Sequence, residues 1–142
     1  MARFTSDSEI DRIGRGLIDR SLPKAEWTHA GHFAAAFWLL RQPEMHALRD
    51  MPGLIRTYNE ATGVHNTDTT GYHETITIAS LRAAQAWLVA RPHAPLHVAL
   101  NELLTSDYGR SDWLLEFWSK RLLFSVAARR AWVEPDLKPL PF

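Results

Sequence analysis

Residues 27–40, WTHAGHFAAAFWLL, are apolar on nearly every face when wound at 3.6 residues per turn, and no other stretch constrains the fold so strongly. A helix without a polar face must be enclosed, so the remaining segments are expected to surround it as helices of a bundle. Their sequences allow this. Ser6 and Glu9 have capping-box spacing, and Ile10, Ile13, Leu17 and Ile18 follow at helical intervals, which predicts a first helix over 6–20, weakened by Gly14 and Gly16. Pro23 either opens the central helix or closes the turn before Thr28 caps it. A third helix is expected from Pro43 through Met51, Ile55 and Tyr58 to Thr62, kinked or split by Pro52 and ended by Gly63.

A fourth helix follows over 72–90, stopped before Pro92, and a shorter one over 95–104. Ser111 is expected to cap a sixth, with Trp113, Leu114, Phe117, Trp118, Leu122 and Phe124 as its apolar face. No run of alternating residues argues for a strand. The expected class is therefore all-α: one domain over 1–142, a bundle of five to six helices with an up-down core. An extended proline-rich tail from Glu134 would dock on it, since Leu137, Leu140 and Phe142 would otherwise lie loose in water.

The length of 142 residues, with 46% hydrophobic and 23% charged, supports one well-filled core without metal or disulfide. A formal charge of +0 removes the electrostatic basis for nucleic acid or anionic membrane as a partner. The absence of cysteine excludes disulfides, thiolate metal sites and thiol nucleophiles, and suits a reducing cytosol. The longest apolar run is too short to span a bilayer and the first residues are polar, so the expected location is cytoplasmic.

Chemistry-bearing residues concentrate in 64–77, VHNTDTTGYHETIT, between two helical segments. With short connections, helices two and four run parallel, which brings His29 and His32 to the same bundle end as His73 and Glu74. His29 and His32 are three apart and share a helix face. With His73 they form a three-imidazole set suited to a divalent metal: zinc is favoured, with nickel, manganese and iron as alternatives. Tyr58, Asn59, Asn66, Tyr72 and Thr77 are the types that orient such rings, and Glu74 either joins them or complements its helix terminus. His73, Thr77, Ser80 and Ala84 lie along one stripe of small or polar side chains that leaves room for a ligand or a close neighbour.

Each group also has a plainer role: a histidine on an apolar helix is more often a hydrogen-bonded core residue, and Thr67, Asp68, Thr69 and Thr70 suit any turn before a helix. His65, His93 and His97 read as solvent or loop residues, and His46 belongs to the other end. Glu26 and His29 form one E-x-x-H, but a di-iron bundle needs a second. Thr77 stands where the zinc-protease motif beginning at His73 requires histidine.

The segments EWTHAGHFAAAFWLL, RTYNEATGVHNTDTTGYHETIT and FWSKRLLFSVAARRAWVEPDLKPLP resemble a family of small uncharacterised helical bacterial proteins that share W-T-H-x-x-H and G-Y-H-E-T. The likeness spans most of residues 22–141 and implies a common fold and site. There is also an architectural similarity to DinB-like helical metalloproteins, which carry three histidines at a bundle end with a different spacing. The function expected first is divalent-metal binding, extending to a metal-dependent reaction on a small polar molecule. The alternatives are a non-catalytic small-molecule-binding module using the same pocket, and a structural homo-oligomer.

Overall fold

Thr28 opens the enclosed helix: its hydroxyl accepts the Gly31 N–H at 3.1 Å, and α2 runs from it over His29–Leu40. The computed structural model describes residues 3–142, and no strand occurs among them. Around α2 pack α1 (Asp7–Asp19), α3 (Ala47–Ala61), α4 (Glu74–Val89) and α5 (Leu96–Thr105). Phe33, Ala34, Ala35, Phe37 and Leu39 are almost fully buried, so opposite faces of α2 are covered, as its composition requires.

The contact between α1 and α2 depends on a residue that looks unfavourable by propensity alone. A Cβ on Gly14 would lie 2.2 Å from the Trp38 indole, so only glycine lets the ring lie across α1. Trp38 Nε1 then donates to Asp11 Oδ1 at 3.0 Å. The capping box at Ser6 does not form. Ser6 is the N-cap without a side-chain bond, and Glu9 instead accepts from the backbone N–H and hydroxyl of Thr5.

Two further expectations change. α3 begins four residues after Pro43, where Asp50 accepts the His46 N–H at 3.0 Å, and it continues unbroken past Pro52. The sixth helix is replaced by a 3₁₀ turn (Trp113–Glu116) and a short helix, α6 (Lys120–Leu123), and a further short helix, α7 (Val126–Arg130), follows beyond it. Ser119 and Ser125 are the reason: each hydroxyl caps a new helix, accepting from Leu122 N–H and Ala128 N–H. Trp113, Leu114, Phe117 and Trp118 stay buried, but the turning chain leaves Phe124 62% exposed.

The last residues run against this broken segment. Leu137 N–H donates to Phe117 O at 2.9 Å, Asp136 accepts both the N–H and the hydroxyl of Ser119 at 2.7 Å, and Arg82 donates to Phe142 O at 3.1 Å. Leu140 and Phe142 pack on the core, whereas Leu137 is 57% exposed. Among the described residues no helix is long and apolar enough to cross a membrane.

Candidate functional site

The polar loop before α4 is held together from inside. Asn66 Oδ1 accepts from Asn59 Nδ2 and from Tyr72 N–H, both at 3.0 Å, while its Nδ2 donates to Arg56 O at 3.0 Å. Thr67 Oγ1 accepts the Thr70 N–H at 3.1 Å. Gly71 has φ +76, and a Cβ there would lie 2.5 Å from His65 O, so the loop closes on itself only with glycine. The Tyr72 hydroxyl donates to Glu74 Oε1, and the Arg56 guanidinium sits 4.2 Å from the Tyr72 ring centroid. Burial first, and then the Glu74 carboxylate, pushes the Tyr72 phenol well above its ordinary range.

The same region anchors the C-terminal part of the chain. His73 Nε2 lies 2.7 Å from Leu123 O, and a carbonyl only accepts, so this nitrogen carries the proton. Its Nδ1 is then the bare nitrogen, and it accepts the Ile76 N–H at 3.2 Å as the cap of α4. Both ring nitrogens are engaged. Buried Thr75 donates to Ala131 O at 3.0 Å and accepts from Val133 N–H at 3.2 Å. Arg129 donates to Gly71 O at 2.9 Å. The sequence therefore concentrates polar residues here for tertiary connection.

The start of α2 is different. His29 Nε2 donates to Tyr108 O at 2.8 Å and its ring meets Phe33 edge-on at 5.2 Å. His32 Nδ1 donates to Thr28 O at 2.7 Å, and the ring stacks on Trp27 with centroids 3.8 Å apart. By the carbonyl argument, His32 Nε2 is deprotonated, and the Nδ1 bond is the only hydrogen bond this ring makes among the described residues. Burial lowers its pKa from 6.5 to about 4, which keeps the ring neutral near pH 7.

His29 and His32 line a common cavity, His73 does not, and no group of three or more His, Asp or Glu placed to hold an ion occurs among the described residues. Of the six supporting residues, only Thr77 reaches the cavity. Tyr58 is fully buried with its hydroxyl donating to Leu22 O at 2.8 Å, while Asn59, Asn66, Tyr72 and Glu74 belong to the loop network. His97 is no loop residue: it lies in the first turn of α5, where its backbone N–H and Nδ1 meet Asp7 Oδ1 at 2.8 and 2.6 Å.

The cavity has a volume of about 480 Å³ and lies between the start of α2, the middle of α4 and the segment that sequence periodicity had made one helix. Trp27, Phe33, Ile55, Ile76, Leu114 and Phe124 supply apolar walls. No family model, curated protein or solved structure matches the chain. Its chemistry is therefore read from its own lining. The polar groups are few: His29, His32, the hydroxyls of Thr28, Thr77, Ser80 and Ser111, and Asp112, with no lysine or arginine. Asp112 is exposed and held by Arg110 at 3.2 Å. The small-residue stripe on α4 had marked Thr77 and Ser80. Ser111, Asp112 and Phe124 were missed because they enter only when the predicted sixth helix breaks.

Proposed function

We propose that this chain binds a small organic molecule in the cavity beside α2. The observation that carries the reading is a mostly apolar volume of about 480 Å³ with a few polar groups in its lining, among them His32, Thr77, Ser80 and Asp112. That is the size and character of small-molecule sites, which commonly span about 300–1,000 Å³ and use few polar groups for orientation. The binding module is favoured over a three-histidine metal centre because His73 has both ring nitrogens engaged. Breaking those bonds to bind an ion would uncap α4 and release Leu123.

The test is titration with 2-methoxynaphthalene, a neutral probe smaller than the cavity, followed by tryptophan fluorescence and calorimetry. Trp27 is in the lining, so saturable one-to-one binding with a change in emission is expected. Ser80→Phe, which places a ring in the cavity, should abolish binding while leaving the helical circular dichroism intact. Absence of saturable binding to the folded wild-type protein, or equal binding by Ser80→Phe, would contradict a ligand site here.

A further inference from the structure

Hydrogen-bond polarity at the cavity wall restricts what can occupy it. The Thr28 carbonyl takes the only proton of the neutral His32 ring, so the opposite nitrogen, Nε2, has a lone pair and no hydrogen to give. Nδ1 is turned toward its own helix, one ring face is covered by Trp27, and His32 lines the cavity, so Nε2 is the ring nitrogen left without a partner among the described residues. The charged group at the rim, Asp112, is likewise an acceptor, and no cationic side chain lines the walls. The remaining polar partners are His29, whose Nε2 proton goes to Tyr108 O, the indole N–H of Trp27, and hydroxyls, which donate or accept.

We infer that the site selects aromatic or apolar molecules carrying a hydrogen-bond donor, such as a phenol or an aryl alcohol, with the donor O–H on His32 Nε2. This rests on the cavity being a ligand site. A carboxylate would bring a second acceptor against Nε2 and would lose hydration with no cation to replace it. A ligand without a donor leaves Nε2 unpaired in a site from which it has displaced water. Trp27 and Phe33 are aromatic residues of the lining, and such surfaces favour a flat ring over a flexible chain. Burial holds the His32 pKa at about 4, so the acceptor persists through the neutral range.

Three probes of nearly equal size separate the possibilities: 2-naphthol, 2-methoxynaphthalene and 2-naphthoate, titrated at pH 7. Naphthol should bind roughly three- to tenfold more tightly than the ether, the range expected of one net hydrogen bond, and naphthoate should bind most weakly. His32→Phe keeps a ring against Trp27 but removes Nε2, so naphthol and ether should then bind alike. Because that variant also alters packing, the wild-type protein supplies an independent readout: naphthol should shift the ¹⁵N resonance of His32 Nε2 and the ether should not. Equal affinities for naphthol and ether in the wild type, with Ser80→Phe still abolishing both, would overturn the donor selectivity and leave the ligand site standing. Tightest binding by naphthoate would also overturn it. Failure of all three to bind would overturn site and selectivity together.

Discussion

The starts of α2 and α4 carry similar residues and have opposite characters. Each places a histidine at or near a helix N-terminus, with aromatic and hydroxyl neighbours, and the short connections between helices led both to be expected at one bundle end. At α4, His73 donates to Leu123 and accepts from Ile76, Asn66 makes three bonds, and Thr75 holds the backbone near Ala131 and Val133. At α2, His32 makes one bond, to its own helix, and lines a cavity. Residue type and spacing are nearly the same; the partners of each nitrogen decide which histidine is structural and which can meet a ligand.

The contrast breaks most visibly in stability. His73→Ala removes the α4 cap and leaves Leu123 O without its donor, which should destabilise the fold by about 3 kcal/mol in denaturant unfolding. A loss under about 1 kcal/mol would place the structural load elsewhere.

Acid should produce the next effect. An unfolded histidine titrates near 6.5, whereas burial lowers the pKa of folded His32 to about 4 and also lowers that of His73. Above pH 6.5 both states are neutral. As pH falls through that value the unfolded state takes protons that the folded state refuses, so stability should decline down to about pH 4, by about 3 kcal/mol at most for His32. Comparing unfolding at pH 7 and 4.5 checks this, and a profile for His32→Phe as steep as the wild type would show that His32 is not responsible. Asn66→Ala should cost about 2 kcal/mol by leaving the Tyr72 N–H and Asn59 amide without their acceptor. The smallest change belongs to His32→Phe at neutral pH, under about 1 kcal/mol, because stacking on Trp27 is kept.

Much of this was legible from residue patterns. The enclosed helix was evident because WTHAGHFAAAFWLL has no polar face, and the ends of α4 and α5 followed from proline and capping signals. The sixth helix was not, because Ser119 occurs within an apolar periodicity that is equally compatible with a continuous helix. The local Ser119 cap and tertiary partners such as Asp136 on Ser119 together favour the broken chain. That misreading hid six of the eighteen residues that line the cavity. The VHNTDTTGYHETIT stretch is open to two readings for a related reason: side chains able to bind a metal are equally able to bind backbone, and spacing does not say which.

Histidine ¹⁵N chemical shifts at pH 7, recorded with long-range correlation to the ring protons, test the contrast most directly because they report which nitrogen of each ring carries the proton. The expected spectrum has His32 as the Nδ1–H form and His29 and His73 as the Nε2–H form, with His73 unmoved by one equivalent of zinc. An Nε2–H His32, or coordination shifts at His29, His32 and His73 together on adding zinc, would contradict the assignment of an open ring at α2 and a saturated one at α4.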